Sequence, residues 1–531
     1  MMSAIDRLRA NLRAAAIPAT DDDLAGIQAK GFLSRLADFA RIVAGLPGET
    51  LPDYLDAGSL PAPAAATQAT TASATPAPAD TLLGAAAAIR AGTTTPTALL
   101  EAALARVTAL DNQLNAFQLV LAEQALADAR RAEAELAAGQ DRGPLHGIPL
   151  AVKDLLDMAG LPTTAGSKIC AGLVAATDAT AVARLRTAGA VIVGKTRLSE
   201  FAYSPGSNNA HYGPTANPFD PSRDTGGSSS GSAAAVATGM ALAALGTDTG
   251  CSIRIPAAFC GLVGLKPTWG RTSLAGAVPL SWSLDHLGPL ARSVADAAAL
   301  LAVLAGPDPR DGRTLRQAAP FTPVGLEAGV SGLRVGLLRD DGSGQPPAGA
   351  AQLTATRRGA EALAAAGADL VELDVPELDR LRIIGTALLG MEAAAFHLPW
   401  LQTRLDDYGE FPRQRLLANF AYEAGAFIQA QQARTVLRRA VTERLAGLDL
   451  LVTPIHPGPV PARGVPANNG LAIPFNCLGW PALTLPAGRD ADGLPLALQL
   501  VAQPWAEATL LRAATVAEQA LGRIDYSTTS R

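Results

Sequence analysis

From Thr81 onward, short apolar runs rich in β-branched residues alternate with longer stretches whose apolar residues recur at intervals of three and four. The runs "GIPLAV", "AVIVG", "LRVGLL", "ADLVELDV", "LDLLVTP", "PALTLP" and "PLALQLVAQ" have the length and residue types of strands, whereas "LEAALARVTAL" and "TAVARLRTAG" have the period of helices. This alternation predicts an α/β architecture with a largely parallel or mixed sheet covered by helices on both faces, because a strand that is apolar at successive residues needs burial on both sides. No linker and no fixed-period repeat interrupts the pattern, so residues 81–531 read as one large domain. Residues 1–60 read differently: "LSRLADFARIVAGL" puts Leu33, Leu36, Phe39, Ile42 and Val43 on one face of a helix. Between the two lies "PAPAAATQATTASATPAPAD", residues 61–80, almost uncharged, without an aromatic residue and with prolines 61, 63, 76 and 78, which reads as a low-complexity linker. The N-terminal piece is thus expected to be a helical appendage that docks or oligomerises.

Composition narrows the function classes. A hydrophobic content of 49% with 17% charged residues is globular, and a formal net charge of −5 gives no basic footprint, so nucleic acid is not an expected partner. Cys170, Cys251, Cys260 and Cys477 form no CxxC pair and sit mostly in apolar surroundings, the pattern of reduced thiols in a cytoplasmic protein without disulfides or a zinc site. The start lacks a continuous apolar h-region, and Asp6 with Asp21 to Asp23 suits a surface helix better than a transit peptide. No uncharged apolar stretch of about 18 residues follows, so no membrane span is expected.

Two motifs mislead. "GAVIVGKT" (Gly189 to Thr196) matches the phosphate-loop pattern, but its intervening residues, Ala190, Val191, Ile192 and Val193, are themselves strand formers and cannot curl around a phosphate. Lys195 is therefore read as structural. Gly227, Ser229 and Gly231 satisfy G-x-S-x-G, yet the proline-interrupted "NPFDPSRDT" precedes them where a nucleophile elbow needs a strand, and none of the five histidines stands in an evident downstream triad context.

The basic residues are nearly all arginine; lysine occurs only at positions 30, 153, 168, 195 and 266. Arginine cannot act as a base in proteins, whereas a buried lysine can lose its proton, which draws attention to Lys153 at the end of "GIPLAV". On composition alone, a snorkelling lysine or a salt bridge beside Asp154 explains it as well. Three segments together change that balance: "GIPLAVKD" (Gly147 to Asp154), "GGSSSGSAA" (Gly226 to Ala234) and "GTDTGCSIRIPAAFCGLVGLKPT" (Gly246 to Thr268). They resemble the amidase signature family of hydrolases, which use a Ser–cis-Ser–Lys triad. The likeness continues through "GKTRLSEFA", "HYGPTANPFD", "SLDHLGPLARSVADAA", "FNCLGWPALTLPAG" and "LPLALQLVA", and so covers nearly all of 81–531.

The resemblance implies an amidase signature fold. It makes Ser252 the acyl nucleophile, Ser228 the bridging serine after a cis peptide and Lys153 the base, with the two serines 24 residues apart. It places the oxyanion hole at the backbone amides of Thr249, Gly250, Cys251 and Ser252, with Gly227, Ser229, Asp248 and Arg254 as supports. The chemistry is coherent, since a serine hydroxyl between nucleophile and amine can both donate and accept, provided that burial keeps Lys153 neutral. Two departures stand out: Ser230 and Cys251 occupy positions where the family commonly has glycine, and Cys251 would be disfavoured if its backbone needed a positive φ. The alanines after Ser229 are expected to begin a helix that anchors the turn.

The expected activity is hydrolysis of a linear amide-type C–N bond in a small molecule, an amide or anilide, with carbamates, urethanes and ureides open; no metal and no organic cofactor is implied. Trp282, Phe396, Trp400, Tyr422 and His456 are the candidates for a substrate pocket. One alternative is the glutamine-hydrolysing A subunit of a tRNA-dependent amidotransferase, which shares the triad but works in a complex. Another is a non-catalytic binding module on the same fold, against which the intact Lys153, Ser228 and Ser252 speak. Homodimers occur in the family, and residues 1–60 could contribute to such an interface.

Overall fold

The computed structural model of the chain describes residues 3–45, 80–317 and 321–526. All of the expected linker except Asp80, together with 46–60 of the N-terminal segment, lies outside the described residues.

Eleven strands form one sheet: β1 (Phe117–Val120), β2 (Pro149–Lys153), β3 (Val191–Thr196), β4 (Ala243–Asp248), β5 (Val263–Lys266), β6 (His286–Ala291), β7 (Arg334–Asp340), β8 (Asp369–Asp374), β9 (Leu450–Pro454), β10 (Ala482–Arg489) and β11 (Pro495–Ala502). Their spatial order is β1-β3-β2-β4-β6-β5-β10-β11-β9-β7-β8. β2 is parallel to both β3 and β4, and β7 to both β8 and β9; the remaining pairs are antiparallel, so the sheet is mixed. Alternation along the strands sends side chains to two faces. Leu150 and Val152 of β2 with Leu450 and Val452 of β9 join one apolar core, while Ala151 and Leu451 face cores on the other side.

The alanines after the serine-rich loop do begin a helix, and it is short. The helix after the serine-rich loop covers only Ser230–Ala237, and the following "ALAALGTD" supplies strand β4 instead of more helix. Gly239 turns the chain with φ +71°, and the small residues Ala243 and Ala244 let β4 sit buried between β2 and β6. Tertiary packing here overrides alanine's helix preference.

Residues 3–45 contain three helices, α1 (Ala4–Ala14), α2 (Asp21–Ala29) and α3 (Arg35–Ala44). Their apolar faces join the same core as the Glu377–Thr403, Glu410–Ala418 and Ala426–Arg444 helices. Polar contacts fix the docking: Arg413 pairs with the buried Asp23 at 2.9 Å, Lys30 with Glu410 at 2.7 Å and Arg7 with Glu423 at 2.9 Å. Phe39 meets Tyr422 edge to face, with ring centroids 5.3 Å apart. Among the described residues the Glu377–Thr403 helix alone is long and apolar enough to cross a membrane; much of it is buried in this core.

Candidate active site

β2 and β4 run parallel as neighbours, so the last residue of β2, Lys153, and the loop that follows β4 leave the sheet at the same edge. The serine-rich loop closes over that edge because its helix, Ser230–Ala237, packs its wholly buried alanine surface on the strands. Asp224 pins the loop by accepting from the amides of Gly226 at 2.6 Å and Ser207 at 3.2 Å. The amide of Gly227 in turn donates to Pro205 O at 2.8 Å. A Cβ on Gly227 would collide with the carbonyl of Gly206, so only glycine allows this approach. The Gly227–Ser228 peptide bond is cis.

Lys153 is completely buried, and its Nζ lies 2.7 Å from Ser228 Oγ, 3.0 Å from Ser229 Oγ and 2.8 Å from Thr247 Oγ1. Among the described residues no carboxylate touches it: its chain neighbour Asp154 pairs instead with Lys195, at 2.6 Å. Burial lowers the Lys153 pKa to about 7, although the charges of Asp248 and Asp285 oppose the shift. A neutral amine offers two N–H groups and one lone pair, so two of the three hydroxyls accept and one donates. The Ser229 hydroxyl is directed at Thr247 O, 3.4 Å away, which leaves Ser228, at the shortest distance, suited to donate to the lone pair.

The loop Thr249–Ser252 links β4 to the Arg254–Phe259 helix. The amides of Ile253 and Arg254 both donate to Asp248 Oδ2, whereas those of Thr249, Gly250, Cys251 and Ser252 have no protein acceptor among the described residues. Four successive free amides beside a serine can hold an oxyanion. Arg254 anchors the loop by gripping both Asp248 oxygens at 3.0 Å and donating to Asn476 Oδ1 at 2.6 Å and Gln499 Oε1 at 2.7 Å. Burial would raise the Asp248 pKa, but the Arg254 guanidinium overrides it and holds the carboxylate well below its usual range. Thr249 donates to Asp285 at 2.6 Å, and burial raises the Asp285 pKa to about 6.

Cys251 is not among the non-glycine residues with positive φ, so its side chain occupies the glycine position without left-handed strain. Its sulfur lies 3.7 Å from Gly227 O, and burial pushes the thiol up to about 12, which makes it a poor nucleophile at neutral pH. Among the described residues no hydrogen bond joins the Ser252 hydroxyl to Ser228 Oγ, whose partner is Lys153 Nζ. Ser230, at the other departure, is 3.2 Å from Thr215 Oγ1.

The structure thus gathers Lys153, Ser228 and Ser252 with Gly227, Ser229, Asp248 and Arg254 around one loop pair. Of the aromatic candidates it brings two together: the rings of Phe396 and Trp400 meet edge to face, with centroids 5.5 Å apart. Trp282 is exposed, with the Arg313 guanidinium over its ring; Phe396 and Trp400 pack with Phe201 and His397; Tyr422 meets Phe39 of α3; His456 packs on Phe259. Thr247, Asp285 and Asn476 join the site although no motif singled them out. Each lies inside a stretch that carried the resemblance, but its contacts are made across long sequence separations. A cavity of about 440 Å³ opens beside Tyr203 and Ser204, with Lys30 of the N-terminal segment and Glu410 on its wall.

A family model described as Amidase matches residues 98–511. The A subunit of the glutamyl-tRNA(Gln) amidotransferase of Anaeromyxobacter dehalogenans is 41% identical over 469 residues, which are 82% of this chain and 95% of that protein. Among solved structures, a chain of an inhibitor-bound vestigial protein complex that reveals the evolutionary origins of an s-triazine catabolic enzyme aligns with a TM-score of 0.79 at 36% identity, covering 84% of this chain and 100% of that one. The peptide amidase of Stenotrophomonas maltophilia aligns with a TM-score of 0.72 at 35% identity, covering 84% of this chain and 97% of its own. Helices α1 to α3 precede the span that the family model matches.

Proposed function

The chain belongs to the amidase signature family of enzymes acting on C–N bonds, and on that premise we propose that it hydrolyses a linear amide-type bond through an acyl-enzyme on Ser252. Lys153 takes the proton of Ser228 as Ser228 takes that of Ser252; rotation of the Ser252 side chain towards Ser228 closes this relay. Ser252 Oγ attacks the carbonyl carbon, the free amides of the Thr249–Ser252 loop receive the oxyanion, and Ser228 returns a proton to the departing nitrogen. Water, deprotonated through the same pair, then releases the acid and restores Ser252. The observation that carries this reading is a buried lysine surrounded by hydroxyls and no carboxylate, as a neutral base requires.

The test is intact-mass and peptide-mapping analysis after exposure to a fluorophosphonate. Stoichiometric labelling of Ser252 that slows steeply in Lys153→Ala is the expected result. Labelling at Ser229 or Cys251, or labelling indifferent to Lys153, overturns the mechanism.

The curated relatives favour a more specific version in which the chain is the glutamine-hydrolysing A subunit of a tRNA-dependent amidotransferase. The triad and its chemistry are then the same, glutamine is the amide donor, and further subunits take up the ammonia. Copurification of two further subunits together with glutaminase activity supports this version; a monomer or homodimer that hydrolyses other amides and spares glutamine rejects it.

A further inference from the structure

β4 and β6 are antiparallel with Asp248 opposite His286, so the residue after Asp248 and the residue before His286 leave the sheet side by side. These two are Thr249, which opens the loop of free amides, and Asp285. Thr249 Oγ1 donates to Asp285 Oδ1 at 2.6 Å, and both residues are buried. That distance is typical of a charge-assisted bond from a hydroxyl to a carboxylate. Further along the loop the side chains hold less: Gly250 has none, and Cys251 reaches Gly227 O only through its sulfur, at 3.7 Å.

Asp285 is itself held in place. Its Oδ2 accepts from the amides of Leu280 at 3.0 Å and Ser281 at 3.1 Å, which closes the 280–285 turn around the carboxylate. Ser281 Oγ and the amide of Ser283 donate to Glu392 Oε2 at 2.7 and 2.9 Å, so the turn is fastened to the Glu377–Thr403 helix. Among the described residues no cation pairs with Asp285, whereas both oxygens of Asp248 are gripped by Arg254. An ionised carboxylate can only accept, so the Thr249 hydroxyl must donate to it, and its rotamer is set. That rotamer fixes the two peptide planes on either side of the Thr249 Cα, which carry the amides of Thr249 and Gly250.

We propose that Asp285 is a positioning residue for acylation: through the Thr249 hydroxyl it aims the amides of Thr249 and Gly250 at the oxyanion of the tetrahedral intermediate. Hydrogen-bond donors stabilise an oxyanion best when their direction is fixed before the charge develops, because reorienting them at that moment offsets the gain. Asp248 secures the far end of the loop, where it takes the amides of Ile253 and Arg254; Asp285 secures the near end. Asp285 acts through Thr249 and not on the reacting atoms. This assignment rests on the acyl-enzyme reading at Ser252.

The experiment follows fluorophosphonate labelling of the full-length chain over a range of reagent concentrations, which separates the limiting rate, kinact, from the apparent affinity, KI. The wild-type labelling site is read first: a label elsewhere than Ser252 removes the acyl-enzyme reading and this assignment with it. With Ser252 labelled, Thr249→Val should lower kinact by about tenfold or more, a smaller loss than deleting an oxyanion donor outright. KI should hold, and Thr249→Ser, which keeps the hydroxyl, should retain most of the rate. Asp285→Asn, whose amide nitrogen donates where a carboxylate oxygen accepted, should lose a factor similar to that of Thr249→Val. The double variant should be no slower than the slower single one, because both changes break the same bond. A wild-type kinact in Thr249→Val, an equal loss in Thr249→Ser, a loss confined to KI, or single losses that multiply in the double variant overturns the assignment. Thermal unfolding identifies any variant not folded at the assay temperature; if Asp285→Asn is one, Thr249→Val against Thr249→Ser decides.

Discussion

Lys153 and Lys195 lie on neighbouring parallel strands, one residue out of register, and both are completely buried. Lys195 meets Asp154 at 2.6 Å, Pro162 O at 2.6 Å and Thr163 Oγ1 at 3.0 Å, so its charge is neutralised and it braces the end of the sheet. Lys153 meets hydroxyls alone, and burial then favours the uncharged amine. The difference teaches that in a low-dielectric interior the counterion decides whether a lysine is a strut or a base. A third buried lysine, Lys266, adds that a lowered pKa is insufficient: its Nζ reaches the carbonyls of Pro267 and Trp480, which have no proton to relay.

Ser252→Ala should cost the most, about 10⁴- to 10⁶-fold in amide hydrolysis by steady-state kinetics, because without the nucleophile the relay serves nothing. Lys153→Ala should cost about 10²- to 10⁴-fold. In the wild type kcat/KM should rise with pH and level off above about 7, since only the neutral amine accepts a proton. A flat profile between pH 6 and 8 would break the contrast between the two lysines.

Stability should separate them as well. Asp154→Asn leaves the Lys195 ammonium without its counterion, and urea titration should show a loss of about 3–5 kcal/mol. Lys153 behaves in the opposite sense. Its folded pKa of about 7 lies below the unfolded value near 10.4, so unfolding takes up a proton between those values. The penalty for burying it is fully present below pH 7 and fades as the pH climbs towards 10. Lys153→Met should therefore stabilise the fold by about 1–3 kcal/mol at pH 7, a gain that shrinks in unfolding curves taken at pH 9 to 10. The smallest effect belongs to Cys251→Ala, about 1 kcal/mol of stability with Ser252 labelling retained, since the thiol takes no part in the relay.

The chain's own order of residues determined much of this. Strand-length apolar runs set the α/β class, and the lysine, the paired serines and their spacing stand in short contiguous stretches, because each catalytic loop folds from residues next to one another. The phosphate-loop lookalike was legible as a strand for the same local reason, and β3 is that strand. Tertiary structure alone decided the rest. It made "ALAALGTD" a strand, placed Asn476 on Asp248 across 228 residues of chain and gave Asp154 to Lys195 in place of its neighbour Lys153. It also put Phe396 against Trp400 and sent Tyr422 to Phe39 of α3. Sequence spacing reports which side chains a loop or strand can present, whereas burial, counterions and charge repulsion depend on which distant segments the fold brings against them.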